Sequence, residues 1–415
     1  MKHWIAGAIM AAMMLFAVTP APVQSETTQT DSAQPDPANW PAVLAEARGQ
    51  TVYWHAWGGD PRINAFIAHV GDEAAARYGV TLQQVKLAST ADAVARVVAE
   101  QAAGSDRNGA VDLIWINGEN FAAMQRAGLL FGPFATSLPN WPLVDVAGKP
   151  SVANDFTVPT NGMESPWAMA RLVFEYDSAR VPEPPRDLAA LATWAAAHPG
   201  RFSYPQPPDY LGTTFLKQAL YGLGTDPALL QRPVDEAQYA AVTDPLWAWL
   251  DGLHPNLWRG GRAFPGSEPE LGQLLADGEV DIGMAFNPGR ASAAIAAGEL
   301  APLVRTFVPD GGTIGNASFV AIPYNATHAA GAMVIADLLL DAGVQALAQD
   351  PAVLGFQTVL DVAHLPGPDR ARFDALALGV ATLSPVELGP ALLEPHPSWM
   401  VRIAADWVTR YGVAE

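Results

Sequence analysis

Residues 111–121 constrain the fold of this chain more than any other segment. They read Val-Asp-Leu-Ile-Trp-Ile-Asn-Gly-Glu-Asn-Phe, an apolar run interrupted by one acid, then polar or flexible residues, then a helical pattern. Such a run is typical of a strand that is buried on both faces of an α/β sheet. Ligands of open α/β sheets bind beyond the carboxyl ends of the strands, so Asn117, Glu119 and Asn120 are candidate ligand contacts. The same residues would also suit a helix cap and a solvated turn.

The same strand-to-helix pattern occurs twice upstream. Thr51–Trp57 predicts a first strand, and the helix that follows ends at Gly79. Residues 80–87 predict a second strand, after which a further helix begins. This alternation implies a parallel sheet with helices on its faces, so the loops after the strands meet at one edge. Those loops add the candidate contacts Trp57, Gly58, Gly59, Ser89 and Thr90, and the Trp57 ring would either stack on a ligand or pack in the core.

A second α/β region is predicted after a proline-rich break at residues 132–150. Its strands include residues 202–204 and 280–286. Another extended stretch, residues 314–322, precedes a helix predicted over residues 329–340. A chain of 415 residues exceeds the size at which one core keeps growing, so two domains are expected.

The N-terminus has the pattern of an export signal. Lys2 precedes an apolar run over residues 4–18 and then small residues, and the run is shorter than the roughly 20 residues of a bilayer span. We expect a cleavable signal peptide over residues 1–25 and a flexible N-terminal tail over residues 26–44. The chain contains no cysteine, so neither disulfides nor a lipid anchor are expected. These features predict a periplasmic protein that is not lipid-anchored.

Charge and motif content exclude several classes of function. The net charge of −19 excludes nucleic acid as a partner, because binding it requires a basic surface. An acidic surface either steers cationic ligands or serves solubility alone. The eight histidines form no HExxH motif, and the chain has no Walker A, G-x-S-x-G or G-x-G-x-x-G sequence. We therefore expect no catalytic residues, no metal and no cofactor.

Several segments, taken in order, resemble the solute-binding proteins of bacterial ABC transporters. Residues 173–188 are similar to the crossover strand of that family, residues 274–284 to its Gly-Glu-hydrophobic-Asp strand entry, and residues 330–345 to a late helix. Residues 111–132 and 138–141 resemble more narrowly a subgroup, the YnjB-type periplasmic components. The resemblance covers nearly the whole chain. It departs from the family where Arg-Asp replaces Thr-Trp in an outer loop, which puts no function in doubt.

The resemblance implies an α/β fold of two lobes with a ligand cleft between them, the type II or Venus-flytrap fold of periplasmic binding proteins. Lobe one would comprise residues 45–163 plus 305–360, and lobe two residues 164–304 plus 361–415. Such a protein captures a small-molecule solute and delivers it to the membrane permease of an ABC importer, and thereby indirectly to its ATPase. We expect a monomer.

The resemblance also suggests which second-lobe residues meet the ligand. It places Tyr210, Thr213 and Thr214 in a loop that faces the cleft, while Asn287 follows a buried strand. Glu119 and Glu164 are the natural counter-charges for a cation. Rings and carboxylates together suit an organic cation, thiamine-like or polyamine-like. Rings and amides alone would suit a carbohydrate, and helix N-termini would favour anions. A carbohydrate receptor is therefore the alternative, and a periplasmic carbohydrate-active enzyme is less favoured.

Overall fold

The structure is a computed structural model, and it describes residues 34–412. The predicted signal peptide and residues 26–33 of the predicted tail lie outside this range. Within it, the strands are β1 Thr51–Trp57, β2 Thr81–Leu87, β3 Leu113–Ile116, β4 Asn154–Asp155, β5 Val158–Pro159, β6 Glu164–Arg171, β7 Val173–Asp177, β8 Ile282–Ala285, β9 Val304–Phe307 and β10 Gly315–Ala321.

The α-helices of the described range alternate with these strands in the first half of the chain and dominate the second half. They are α1 Trp40–Ala47, α2 Pro61–Tyr78, α3 Thr90–Ala102, α4 Gly118–Arg126, α5 Leu188–Ala197, α6 Tyr210–Gly222, α7 Pro227–Leu230, α8 Glu236–Leu253, α9 Glu268–Ala276, α10 Arg290–Ala296, α11 Ala329–Leu338, α12 Ala342–Gln349, α13 Gly367–Asp374, α14 Pro385–Leu388 and α15 Pro397–Tyr411. Between residues 34 and 412, no single helix is both long and apolar enough to span a membrane. Helices α11 and α12 meet that criterion only as a pair bent by 63°.

The first sheet has five strands in the order β2-β1-β3-β10-β6. Strands β1, β2 and β3 pair in parallel, as the alternating pattern predicts. Strand β10 pairs antiparallel with both β3 and β6. Within this sheet only β10 departs from the predicted parallel direction, because it enters directly from the second sheet rather than through a crossover helix. Strand β6, being antiparallel to β10, runs in the same direction as β1–β3.

The core of the first sheet is organised around the buried indole of Trp167 on β6. Its ring lies edge-on to Trp54 at 6.1 Å and to Trp115 at 4.9 Å between centroids, and stacks on Phe66 of α2 at 6.1 Å. Phe356 closes the fourth side at 5.6 Å. Aromatic contacts of this kind add stabilisation beyond the apolar area that they bury. The rings thus join three strands, a helix and the segment after α12 into one core.

The second sheet has three antiparallel strands in the order β8-β7-β9. Helices α6, α8 and α15 supply much of its core, in which Trp399 and Trp407 are buried. The predicted strand over residues 202–204 is wrong. Phe202 forms only an isolated bridge to Ile282, because Pro205, Pro207 and Pro208 follow at once and cannot donate ladder hydrogen bonds.

The chain passes between the sheets at positions that differ from the predicted lobe limits. Residues 164–171, predicted for lobe two, pair along β10 in the first sheet, from Glu164 opposite Ala321 to Arg171 opposite Gly315. Residues 305–307, predicted for lobe one, pair with β7 in the second sheet. Phe373, predicted for lobe two, packs in the first core, whereas Ala381 packs in the second. We propose that the lobes divide after Arg171, between Phe307 and Gly315, and between Phe373 and Ala381.

Residues 40–44 form a helix instead of belonging to a flexible tail. Helix α1 begins there because Asn39 caps it, its side-chain oxygen accepting a hydrogen bond from the Ala42 backbone N–H, and because Pro41 suits a first turn. Val43 and Ala47 are buried in the first core. This burial holds the segment against the lobe.

The tryptophan cluster provides a test of this core. We expect Trp167→Ala to lower the free energy of unfolding by about 3–5 kcal/mol, because the substitution removes a fully buried indole and leaves a cavity. Chemical denaturation measures the change. Val386→Ala is the matched control, since Val386 is 90% exposed and should alter stability by less than about 0.5 kcal/mol. Equal effects of the two substitutions would contradict the assignment of Trp167 to the core.

Candidate functional site

A cavity of about 710 Å³ lies between the loops of the first sheet and the helices around the second. The three loops that the sequence predicts at one sheet edge all reach it. Nine of the thirteen predicted site residues line it: Trp57, Gly59, Ser89, Thr90, Asn117, Glu119, Asn120, Tyr210 and Asn287. Their contact with a ligand stays a prediction. The structure therefore brings most of the candidates to one place.

The other four candidates lie away from the cavity surface. Thr213 and Thr214 are fully buried within helix α6, where the sequence predicts a loop. The helix begins early because the Asp209 carboxylate accepts hydrogen bonds from the backbone N–H groups of Leu211 and Gly212. Side chains that point into a helix-packed core have no access to the cleft.

Glu164 and Gly58 are the remaining two. Glu164 is fully buried on β6, and neither carboxylate oxygen has a hydrogen-bond partner among the described residues. Burial raises the pKa of this carboxyl well above its ordinary value, and Asp155 adds to the rise. Gly58 packs against Lys86, since a Cβ at position 58 would lie 2.6 Å from the Lys86 Cβ. Glu164 therefore lies in the core, where burial favours its neutral form, and outside the lining of the cavity.

Helix α4 presents the polar residues of the first wall. Its N-terminus is fixed by Asp155, whose carboxylate accepts a 2.5 Å hydrogen bond from the Gly118 N–H. Asn117 donates its amide to the carbonyl of Ala317, 2.7 Å away, which ties the loop to β10. Asn120 donates to Glu119 at 3.0 Å. The wall is thus preorganised by backbone contacts.

Glu119 carries the charge of the first wall. Burial raises the pKa of its carboxyl above the ordinary value, because water can no longer solvate the charged form fully. The ammonium of Lys217 lowers that pKa only in part, since it pairs with Glu394 at 2.6 Å. Among residues 34–412 no cationic side chain lies within ion-pair distance of Glu119.

Trp57 and Trp115 are the aromatic residues of the first wall. The Trp57 ring lies directly over Gly59, where a Cβ would approach the ring to 2.4 Å. A glycine is required at position 59 because any side chain would displace this indole. The close packing on Gly59 holds the Trp57 ring at the cavity surface, and its stacking on a ligand stays a prediction.

Tyr210 at the start of α6 links the two walls. Its hydroxyl donates to Glu394 at 3.2 Å and accepts from the Asn316 amide at 2.6 Å. Its ring lies edge-on to Phe286, with 5.3 Å between centroids. Asn316 belongs to β10 and Phe286 follows β8, so this contact set joins both sheets at the cavity.

The second wall contains a charged group that the sequence analysis missed. Arg290 at the start of α10 forms two hydrogen bonds with the buried Glu175, and Glu268 lies 3.9 Å from the same guanidinium. Burial raises the pKa of Glu268 to about 7 and that of Asp209 to about 6. Both carboxyls line the cavity. The two groups therefore titrate near neutral pH.

Asn287 makes a contact across the cleft. Its amide donates to the carbonyl of Leu354 at 2.8 Å, and the neighbouring backbones of Gly289 and Gly355 touch so closely that a Cβ on Gly289 would lie 2.5 Å from the Gly355 Cα. Leu354 packs in the first core, whereas residue 287 follows β8 of the second sheet. The Asn287 amide, which the sequence predicts as a ligand contact, is therefore already hydrogen-bonded to a backbone carbonyl of the opposite wall.

Some of the missed residues had a signal in the sequence and others had none. Asp209 follows two prolines and precedes an apolar helical pattern, which is a helix-cap signature. Asn316 lies in a buried strand without any motif. Glu268 and Arg290 begin helices, but their pairing with Glu175 depends on residues far apart in the chain. Within the described range, no group of three or more His, Asp or Glu side chains could hold a metal ion.

A polar and aromatic cavity between two α/β cores is typical of proteins that bind small molecules. Residues 69–366 match the family of bacterial extracellular solute-binding proteins, and the chain belongs to that family. The family comprises transport proteins rather than enzymes.

Comparisons with individual proteins are consistent with this family. The chain is 43% identical to protein YnjB of Escherichia coli (strain K12) over 375 residues, which are 90% of this chain and 94% of the relative. The fold is similar to the periplasmic binding protein AfuA of Actinobacillus pleuropneumoniae, solved with fructose-6-phosphate, with a TM-score of 0.61 and 15% identity over 88% of this chain and 99% of that one. It is also similar to the spermidine/putrescine substrate-binding protein PotD of Streptococcus pneumoniae, with a TM-score of 0.58 and 16% identity over 87% and 98%.

The raised carboxyl pKa values predict how the stability of the unliganded protein depends on pH. A carboxyl with a raised pKa in the folded state binds its proton more tightly there than in the unfolded chain. Its contribution to stability is therefore present at low pH and is lost as pH rises through the folded pKa. For Glu268 that loss runs from the ordinary carboxyl pKa of 4.5 up to the folded pKa of about 7, and it is complete just above pH 7.

We expect Glu268→Gln to flatten the pH dependence of the free energy of unfolding between pH 5 and pH 7.5, relative to the parent protein. The lowered pKa of His254, about 4, acts in the opposite direction, but it does so equally in both proteins. Denaturant unfolding at closely spaced pH values measures the difference. Asp277→Asn, at the exposed end of α9, is the control. Parallel pH profiles of the parent and Glu268→Gln would contradict the assignment.

Proposed function

We propose that this protein is the solute-binding component of an ABC importer and that its solute is an organic cation, thiamine-like or polyamine-like. The observation that carries the proposal is the charge of the cavity lining. Five acidic side chains line it in the described structure, against two basic ones: Asp60, Glu119, Asp209, Glu268 and Glu299 against Arg62 and Arg290. An enclosed acidic surface favours cations electrostatically.

Neither guanidinium of the lining supports an anion site. Arg290 is paired with Glu175, and Arg62 lies 3.2 Å from Asp60 and 3.3 Å from Glu299. An anion would have to compete with these carboxylates. The pairing therefore argues against an anionic solute, although helix N-termini also face the cavity.

The aromatic residues support the same solute class. Trp57, Trp115, Tyr210 and Phe286 line the cavity, and rings of this kind attract cations through their negative faces. Proteins of this fold include one named for spermidine and putrescine and another solved with fructose-6-phosphate. The fold alone is compatible with either class, so the proposal depends on the lining.

A carbohydrate is the second candidate. Asn117, Asn120 and Asn316 line the cavity and could hydrogen-bond sugar hydroxyls while a ring stacks on the sugar face. All three amides are already engaged with the protein, Asn117 with a backbone carbonyl, Asn120 with Glu119 and Asn316 with Tyr210. Glu119 and Asp209 line the cavity without a cationic partner among the described residues, which favours the cation.

The remaining features of the proposal follow from the family. An extracellular solute-binding protein works with a membrane permease and, through it, an ATPase. The signal-like sequence of residues 1–25 supports a periplasmic location. We propose a monomer whose two lobes close over the solute.

Calorimetry on a panel of organic cations, neutral sugars and oxyanions tests the solute class. We expect a cation to bind, and Glu119→Gln to weaken its binding by roughly 1.5–3 kcal/mol, as for loss of a hydrogen bond to a charged group. Glu164→Gln is the matched control. It makes the same change at a buried site outside the cavity, so cation binding should be preserved.

Two results would contradict the proposal. One is tight binding of a neutral sugar or an oxyanion that Glu119→Gln leaves unchanged. The other is an equal loss of cation binding in both variants, which would assign the effect to the fold rather than to the cavity charge.

The Trp57 ring provides an independent test. We expect Trp57→Ala to weaken binding of the cation identified in the panel by roughly 1–3 kcal/mol, as buried aromatic anchors do. The melting temperature of the unliganded protein should change little, because this ring is only partly buried. Trp57→Phe keeps a ring and should retain most of the affinity. A large fall in melting temperature, with unchanged cation affinity of the protein that remains folded, would place Trp57 in the core instead.

A further inference from the structure

We infer that the solute carries two cationic groups, one recognised by each wall of the cavity. This inference rests on the proposed function, because it assumes that the cavity binds a cation. It goes further because it gives the number of cationic groups on the solute and the carboxylates that bind each of them. These are Glu119 on the first wall, and Glu268 with Asp209 on the second.

The first wall has a negative charge that the protein does not neutralise. The nearest ammonium, that of Lys217, is fully buried and pairs with Glu394 at 2.6 Å. Tyr210 and Asn316 donate further hydrogen bonds to Glu394, so this pair is complete in itself. Glu119 faces the cavity beside it, with an amide as its side-chain partner. A cation that enters here would supply the missing charge.

The second wall repeats this arrangement with different residues. The Arg290 guanidinium makes a bidentate pair with Glu175, whose side chain is fully buried. That pairing satisfies the cation, and Glu268 remains 3.9 Å from it. Asp209 adds a second carboxylate, which is held by backbone N–H groups of α6 rather than by a cation. This wall also carries more negative charge than the protein neutralises.

The two charged sites have different neighbours, and two aromatic rings connect them. Lys217 and Glu394 influence Glu119, whereas Arg290, Glu175 and Asp209 influence Glu268, and the two sets have no member in common. Tyr210 donates its hydroxyl to Glu394 of the first set, the Phe286 backbone N–H donates to Glu268 at 3.4 Å, and the two rings lie edge-on with 5.3 Å between centroids. An aliphatic linker would pack on these rings while each end meets a carboxylate.

The cost of desolvating carboxylates favours a solute with two cationic groups over a solute with one. A solute with a single cationic group would neutralise one wall and leave the other carboxylates to be desolvated without a partner, which is costly in a closed cleft. A solute with a cation at each end avoids that cost. The cavity of about 710 Å³ is within the range of small-molecule sites, so it has room for an extended solute.

Matched linear amines test the inference. The probes are α,ω-diamines of three to eight carbons and n-alkylamines of the same lengths, titrated calorimetrically into the full-length mature protein at pH 8. We expect the best diamine to bind at least about tenfold more tightly than the monoamine of equal length, because each additional charge-assisted contact contributes about that factor.

Variants of each wall assign the two ends. Glu119→Gln and Glu268→Gln should each lower diamine affinity about tenfold, towards that of the monoamine, while the double variant should lose most of the binding. Asp209→Asn is the second probe of the second wall, because asparagine preserves the cap of α6 while removing the charge. Circular dichroism and melting temperature confirm that each variant is folded.

The outcomes separate this inference from the proposed function. A monovalent cation that binds as tightly as the best diamine, and that only one wall's substitutions weaken, overturns the inference and leaves the cation proposal intact. Binding of a neutral sugar or an oxyanion, with no affinity for any amine, overturns both. Diamine binding that depends on Glu119 and on Glu268 supports both.

Discussion

The arrangement of the molecule depends on the buried guanidinium of Arg171. This residue ends β6 in the first sheet, and after one further residue the same extended run becomes β7 of the second sheet. The guanidinium donates hydrogen bonds to the Thr313 hydroxyl and to the backbone carbonyls of Leu388, Gly389 and Pro390. It therefore fixes three chain segments at the junction of the two sheets. Because a buried cation must be satisfied wherever it lies, the position of this junction is strongly determined.

The residues and charges that reach the cavity are determined by this junction. Strand β10 starts beside Arg171 and brings Asn316 to the cavity, while the segment after α14 brings Glu394 into contact with Lys217 of α6. Charges from distant parts of the chain thus neutralise one another below the cavity surface. Glu119, which has no cationic partner among the described residues, faces the cavity. The acidic character of the site results from internal pairing as much as from composition.

The sequence predicts what local patterns determine. The strand Thr51–Trp57, the helix Pro61–Tyr78 and the convergence of three loops follow from apolar periodicity, caps and the geometry of parallel sheets. The antiparallel insertion of β10 could not be predicted, because pairing between residues 200 apart leaves no local pattern. The site divides in the same way. Loop residues such as Asn117 were found, but Glu268 becomes a site residue only through its position beside the distant Glu175–Arg290 pair.

The bare contact between Gly289 and Gly355 limits how the cleft can evolve. Side chains at an interface usually adjust their rotamers, so the distance between two surfaces can drift as residues change. Here the two backbones meet with no side chain between them, and the separation of the walls is set at this point by van der Waals radii alone. New specificities in this scaffold would then arise by exchanging residues that line the cleft, such as Glu119 or Glu268, rather than by changing the distance between the walls at this contact.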